Sequence, residues 1–358
     1  MHQTVTNHDA IGNDIELMYR LLHQKYECKV FAENRFNQNV EYMLEEELES
    51  FLKEEENLII YHHSVFWEKG EEYLRKAHGK IIIRYHNITP PEFFQPYNGF
   101  HTEQCAKGRE QTKRFCSLFP DAFWMVDSEY NAKDISQIRE EKIGVCPPFN
   151  KIEQWKNALL HEEILRKLLH SEEVNLLFVG RIAPNKGHLF LLEIMKYYCG
   201  YYDNKIKLRI IGKFDNGLAK YNNEIEERIN KYHLQNNIEF IGEINDAALL
   251  SYYLGSDLFI CASEHEGFCV PIVEAQYFNL PIIARNSSAI PETLGVNQII
   301  LQENPKDYAA AIRLLMDNED YKHFLRIYGR DNYLNRFTID KISEIFSTLL
   351  EAHIGVTL

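Results

Sequence analysis

The sequence predicts an α/β protein built from two Rossmann-like, doubly wound domains. Three observations carry this reading. Short apolar runs alternate with amphipathic helical stretches almost from the first residue. The alternation breaks at Pro147-Pro148, passes through a charged stretch and starts again. A chain of 358 residues exceeds one ordinary core and suits two.

In the first half, HQTVT (2–6) reads as a short strand, DIELMYRLLHQ (14–24) as a helix and CKVFAE (28–33) as a strand. EYMLEEELESFLKEEE (41–56) reads as a helix with a solvated acidic face. NLIIYHH (57–63) and GKIIIRYHN (79–87) are buried strands ending in polar residues, and DAFWMVDS (121–128) and EKIGVCPP (141–148) extend the series. Such alternation predicts a parallel sheet covered by helices on both faces. Functional groups of such sheets gather at the carboxyl ends of the strands, where His62, His63, His86, Asn87 and Ser128 fall. The first domain is assigned to residues 1–150 and a linker, largely helical and charged, to 151–172. The second domain, 173–337, has five expected strands: NLLFVG (175–180), KLRIIG (207–212), NIEFIG (237–242), DLFICAS (257–263) and LPIIARN (280–286). Helical stretches at about 319–335 and 339–352 close the chain. In the second, Ile342, Ile345, Phe346 and Leu349 share one face, with Thr338 and Asp340 as caps.

The formal net charge of -14 argues against general nucleic-acid binding and against tight electrostatic binding to an anionic membrane. Seven scattered cysteines without a C-x-x-C pair suggest reduced thiols in a cytosolic protein. No apolar run reaches the length of a membrane span, and the N-terminus lacks a basic-then-apolar signal pattern. The expected location is therefore cytoplasmic, with peripheral contact at the inner membrane face left open. One basic group, Lys107, Arg109, Lys113 and Arg114, interrupts the acidic first domain within EQCAKGREQTKRFCSLF (103–119), which reads as an interrupted amphipathic helix. It fits either a holder of a lipid-linked acceptor or anionic lipid, or a solvated helix face.

Two stretches carry the chemistry. In EHEGFCVPIVEA (264–275), Glu266 and Glu274 lie eight positions apart around an apolar run. Pro271 suits the first turn of a helix running to about Asn279, which puts Glu266 on the preceding loop and Glu274 in the first turn. A helix N-terminus suits a phosphate, and a carboxylate accepts two neighbouring hydroxyls, so Glu274 fits a ribose diol and Glu266 a hexose hydroxyl. The same spacing fits a glutamate that only complements the helix dipole and another that is solvated. In LLFVGRIAPNKG (176–187), Arg181 and Lys186 follow a strand that ends at Gly180. Two cations there fit a pyrophosphate, and equally a solvated loop. Neither G-x-x-x-x-G-K-[ST] nor G-x-G-x-x-G occurs, which weighs against a P-loop and a nicotinamide site.

Together FVGRIAPNKG, RIIGKF, IEFIGEI, YYLGSDLFICASEHEGFCVPIVEA and LPIIARNSSAIPETLG resemble the retaining glycosyltransferase family 4 enzymes, which have the GT-B fold and an E-x7-E motif. The resemblance implies two Rossmann-like domains facing across a cleft, with the donor nucleotide on the C-terminal one. It implies Arg181 and Lys186 as the diphosphate pair, Glu274 as the ribose binder and Glu266 at the donor sugar. It also implies backbone N–H groups of Gly267, Phe268, Cys269 and Val270 toward sugar and phosphate, and Gly242 at the start of the base-binding loop. NHDAIGND, with the single glycine Gly12, stands where the family often has a Gly-Gly loop, and the resemblance implies Gly12 as a diphosphate contact there. IIIRYHNITP matches the strand-end histidine, which puts His86 beside the reacting sugar, with His62 and His63 at the same edge toward the acceptor or as a polar strand end. The final helix, 338–358, is implied to cross back to the N-terminal domain.

The expected function is a retaining hexosyl transfer from a UDP-sugar, UDP-glucose as the guess, to a glycan or lipid-linked acceptor of envelope polysaccharide. No cofactor and no metal are expected, in keeping with the lack of any Asp-X-Asp triple. Arg181, Lys186 and the helix N-terminus then stabilise the leaving diphosphate, and front-face attack gives retention. Two rivals stand beside this: a GT-B nucleotide-sugar epimerase, and a sugar-nucleotide-binding protein without catalysis. The sequence leaves oligomeric state, linkage and acceptor open.

Overall fold

The computed structural model describes residues 1–7 and 9–358. They form two compact units: residues 1–91, 100–151 and 338–358, and residues 92–99 and 152–337.

The first unit holds a two-stranded parallel ladder, β1 (Thr4–Val5) on β2 (Asn34–Arg35). Beside it in sequence runs a parallel four-stranded sheet of β3 (Leu58–His63), β4 (Lys80–Tyr85), β5 (Phe123–Val126) and β6 (Ile143–Val145), in that order. Its strands are the apolar runs of the sequence, and β4 and β5 are buried almost throughout, as a sheet covered on both faces requires. The helix Ile339–Ile354 belongs to this unit. Its Ile342, Phe346, Leu350 and Ile354 pack with Met18, Ile82, Phe123, Met125 and Phe149. Thr338 caps it through the Lys341 N–H, while Ile345 and Leu349 flank the buried stripe.

Several local expectations are corrected here. The segment 28–33 is not a strand: only Val30 forms a bridge, to Tyr42, and pairing with β1 moves on to Asn34–Arg35. That bridge also takes residues 41–44 out of the expected helix, which spans only Glu45–Phe51. Three glutamates in its first turn favour this start, and Glu47 accepts the Leu44 N–H. The basic helix is continuous over Gly99–Leu118.

The second unit has a six-stranded parallel sheet. It comprises β7 (Val174–Val179), β8 (Ile206–Ile211), β9 (Ile238–Gly242), β10 (Leu258–Cys261), β11 (Ile282–Arg285) and β12 (Ile299–Leu301). Their order is β12-β11-β10-β7-β8-β9. Counted from β7 this is 3-2-1-4-5-6, the order of a dinucleotide-binding sheet. β12 was not expected from sequence. Residues 152–172, read as a linker, pack into this unit: Ile152 is buried with Phe268, Val273, Tyr333 and Phe337, and Leu168 with Tyr252 and Tyr253.

Candidate functional site

In the second unit the sheet order reverses between β7 and β10, which pair directly. Ligands of open α/β sheets bind outside the carboxyl ends of the strands at such a switch point. Both loops that leave it are charged. After β7 comes exposed Arg181, then Lys186 at the end of the short turn Pro184–Lys186. Gly187 follows with φ of 73°, and a Cβ on it would lie 2.1 Å from the Ala262 carbonyl oxygen. Only glycine permits that approach, which seats the β7 loop against the end of β10. Asn185 completes the tie: its carbonyl accepts the Glu264 N–H at 2.8 Å, and its side chain donates to the His265 carbonyl at 3.1 Å.

These ties bring together residues that are eighty positions apart. Lys186 Nζ donates to Glu266 Oε1 at 2.6 Å. Burial works against the Lys186 charge, but the Glu266 carboxylate outweighs it and raises the lysine's pKa. An ammonium has three donors, so two remain for other acceptors. The Glu266 N–H is held by Ser288 Oγ at 2.8 Å, which links this loop to the one after β11.

The next residues turn into the helix Val270–Tyr277. Cys269 caps it with φ of 78°, and Phe268 and Cys269 are buried, while Gly267 and Val270 are half-buried. Phe268 packs in a core with Phe337, so what this segment can offer a ligand is its backbone; the first N–H groups of a helix have no partner within it. Glu274 is the fifth helical residue, in the second turn rather than the first. There the dipole argument fades. Its Oε2 accepts the Tyr253 hydroxyl at 2.5 Å. Burial pushes Glu274 up to about 7, partly offset by that hydrogen bond. Gly242 closes the edge strand β9 with φ of 82° and open space where a Cβ would be. β8 separates it from β7.

The first unit contains a second polar cluster, at the ends of β3, β4 and β5. His86 follows β4 and donates Nδ1–H to Asp127 Oδ2 at 3.0 Å. An ionised carboxylate only accepts, so His86 Nε2 is left as an acceptor, and His62 Nδ1 donates to it at 2.9 Å. Arg84, fully buried, braces both carboxylates of the cluster: Nε to Asp14 Oδ2 at 3.0 Å and Nη2 to Asp127 Oδ1 at 2.9 Å. Burial, with His86 alongside, holds His62 well below its usual pKa and keeps it neutral. Sequence reasoning missed Asp14, Arg84 and Asp127; the signal was present in Asp127 at the end of DAFWMVDS.

Several expected site residues of this unit receive other roles. His63 is fully buried against Tyr85 and Phe115, and its Nε2 pairs with Thr112 Oγ1 at 2.8 Å. It belongs to the core, not to an acceptor surface. Gly12 lies in the first turn of the helix Ala10–Leu22, where its N–H donates to Asp9 Oδ1 at 2.6 Å. That N–H is spent on a carboxylate, which would itself repel a diphosphate; the glycine is needed because a Cβ would meet the Thr6 carbonyl oxygen at 2.0 Å. The basic group, in turn, is matched by acids. Lys107 pairs with Glu103 at 2.6 Å, Arg109 with Asp134 at 3.1 Å, Lys113 with Glu110 at 2.7 Å and Arg114 with Glu71 at 2.8 Å. These pairs give the helix a face of alternating sign, in keeping with the solvated-face reading.

The switch-point loops lie in a segment that resembles known proteins. Residues 161–332 match the family model of the group 1 glycosyl transferases. Among curated proteins, the chain is 28% identical over 166 residues to capsular polysaccharide biosynthesis glycosyltransferase CapH of Staphylococcus aureus, covering 45% of this chain and 44% of CapH. It is 27% identical over 217 residues to CapM of the same organism, covering 58% and 54%. The chain thus spans about half the length of these curated relatives. Among solved structures, Anabaena Alr3699/HepE in complex with UDP and glucose superposes with a TM-score of 0.78 at 15% identity, covering 98% of this chain and 99% of that one. WaaG, a glycosyltransferase involved in lipopolysaccharide biosynthesis, superposes with a TM-score of 0.67 at 11% identity over 96% of each chain. These structural likenesses establish the GT-B fold. Among the described residues no helix is long and apolar enough to cross a membrane.

Proposed function

We propose that this protein is a glycosyltransferase that moves a hexosyl group from a UDP-sugar, UDP-glucose by preference, to a glycan or lipid-linked acceptor in envelope polysaccharide synthesis, with retention at the sugar. The observation that carries the reading is the Lys186–Glu266 pair, at 2.6 Å, where the sheet of the second unit changes direction. A cation held by a carboxylate at a switch point is suited to an anionic leaving group beside a hydroxyl-rich one. The group 1 family match over the same segment and the capsular relatives support the reaction class, and the UDP and glucose bound by the Anabaena protein support the donor class.

In this reading the leaving diphosphate is met by Arg181, by the remaining N–H groups of Lys186 and by the backbone of Gly267 to Val270 at the helix N-terminus. Stabilising charge as it develops on the leaving group is the dominant electrostatic contribution. Glu266 sets the position of Lys186 and accepts a sugar hydroxyl, and Glu274 accepts the ribose diol. Gly242 lies toward the base. His86 contacts the reacting sugar, held in one tautomer by Asp127 and His62. No protein nucleophile is required: the acceptor hydroxyl attacks from the face the diphosphate leaves, and the departing phosphate takes its proton. Transfer then needs no divalent metal.

The test is a binding and turnover series with the full chain. UDP and UDP-glucose raise the thermal midpoint, and 13C-labelled UDP-glucose with a polysaccharide acceptor yields an α-linked product by NMR after exhaustive EDTA treatment. Conversion of the sugar without acceptor marks an epimerase instead. Binding without any turnover marks a nucleotide-sugar-binding protein without catalysis.

A further inference from the structure

We propose that Asp14, His62 and His86 form a binding site for one transition-metal ion of the Zn2+ class in the first unit. Oδ2 of Asp14, Nδ1 of His62 and Nε2 of His86 all lie within 4.8 Å of one another. The histidine nitrogens are 2.9 Å apart, and each is 3.7 Å from the aspartate oxygen. Zn2+ holds nitrogen and oxygen ligands at about 2.0–2.2 Å, so tetrahedral ligand atoms sit roughly 3.3–3.6 Å apart. Shifts of a few tenths of an ångström, on the order of ordinary side-chain adjustment, convert one triangle into the other.

The surroundings are those of a ligand set already oriented. A metal-bound histidine typically donates its other N–H to a carboxylate or carbonyl. His86 does so to Asp127, which Arg84 braces in turn. Asp14 is fixed through both oxygens, by the Phe149 N–H at 2.8 Å and by Arg84 Nε at 3.0 Å. Two carboxylates against one guanidinium leave the cluster with one net negative charge when both imidazoles are uncharged, so a divalent ion is electrostatically welcome. Two imidazoles and one carboxylate select Zn2+ and its neighbours over Mg2+ or Ca2+, which prefer oxygen ligands. Loading requires no net loss of protons: the His62 proton moves from Nδ1 to Nε2. Three protein ligands leave a fourth position for water.

Occupancy would take His86 Nε2 and break the His62–His86 hydrogen bond. If the proposed function holds, Zn2+ therefore inhibits transfer and chelation relieves it. Binding itself does not depend on that reading, and the test reads binding.

The chelator-treated protein is titrated with Zn2+ against a chromophoric chelator, and separately with Co2+ while its absorption is recorded. One equivalent is expected, with visible ligand-field bands and no intense thiolate-to-cobalt band. Affinity falls at least about 100-fold in His62→Ala and in His86→Ala, and persists in the Cys261→Ser/Cys269→Ser double variant, which removes two buried sulfurs of the second unit that lie 3.8 Å apart. Zn2+ also raises the thermal midpoint of the wild type but not of either histidine variant, and the metal-free midpoints show that each variant is folded. Unchanged stoichiometry and affinity in both folded histidine variants overturns the site. So does a thiolate band that disappears in the cysteine double variant, because the ion then sits on cysteines. A variant that does not fold is replaced by the conservative His62→Gln or His86→Gln, read in the same way.

Discussion

With its pKa pushed up to about 7, Glu274 is divided between acid and carboxylate at neutral pH. The O–H groups of a ribose diol favour the carboxylate, so their binding releases a proton. UDP affinity should then rise with pH toward 7 and level off above it, with a limiting slope of about 10-fold per pH unit. Glu274→Gln should flatten this component, and calorimetry of both proteins from pH 5.5 to 8.5 measures it; parallel profiles would remove Glu274 from the ribose. The stability of the free protein moves the opposite way. A carboxyl whose folded pKa lies above its unfolded value stabilises below the unfolded value, and that contribution is lost as pH rises through about 7. The two cations give a second contrast. Arg181 is exposed, so Arg181→Ala should lower turnover roughly 100-fold while leaving stability within about 0.5 kcal/mol. Lys186→Ala should cost both, since it strands the mostly buried Glu266. Turnover and urea midpoints of the two variants decide this, and equal stability losses would contradict it. Of these residues, Glu266, Arg181 and Lys186 stand out in the sequence because each lies on a loop between a strand and a helix, and Glu274 because it stands eight positions from Glu266. Tyr253, Asp14 and Arg84 do not. Each acquires its partner only through the fold: Tyr253 meets Glu274 across twenty-one positions, and Arg84 meets Asp14 across seventy.

Elements were legible in proportion to how far their own pattern decides them. Long apolar runs such as LLFV, LRII and LIIYHH became strands because both faces of each sheet are covered, and a continuous apolar stretch then fits nothing better. β12 is three residues long, and its pairing with β11 supplies what its sequence does not. The strand expected at 28–33 and the long helix expected at 41–56 gave way together, because one bridge from Val30 to Tyr42 uses residues of both. The turn between β7 and the helix His188–Tyr201 is more demanding. Gly187 has φ of 73° and faces a backbone oxygen. Gly187→Ala should destabilise the protein by at least about 1–2 kcal/mol from the left-handed backbone alone, with more from the contact at Ala262. It should weaken UDP binding as well, because the same contact sets Lys186 beside Glu266. A urea midpoint and a UDP titration on one preparation measure both; an unchanged midpoint would mean that the loop shifts freely, and its seating against β10 would then not matter.

At the scale of the molecule, the chain's last helix is the test of which unit depends on which segment. Residues 338–358 follow the second unit in sequence but share the core of the first. Phe346 is fully buried there, against Phe149 at 5.7 Å between ring centroids, and His353 stacks on Phe123 at 4.2 Å. Lys80 Nζ donates to the Ile354 carbonyl at 2.6 Å, so the end of the helix is held as well as its face. Phe346→Ala should therefore cost about 3–5 kcal/mol, the usual range for a buried phenylalanine, and the loss should fall on the first unit. Deletion of 338–358 removes Ile342, Phe346, Leu350 and Ile354 together and should unfold that unit, whereas the sheet β7 to β12 and its charged loops keep their own cores. Under the proposed function the outcome is asymmetric: transfer is abolished, while UDP, whose proposed contacts are Arg181, Lys186, Glu266 and Glu274, still binds. The truncated protein is titrated with UDP by calorimetry, and hydrogen exchange reports protection in each unit. Retained affinity with protection lost from β3 to β6 supports the assignment. Loss of UDP affinity with β7 to β12 still protected would mean that the nucleotide contacts are not confined to the second unit, and loss of protection in both sheets would mean that the second unit does not hold its fold without the first.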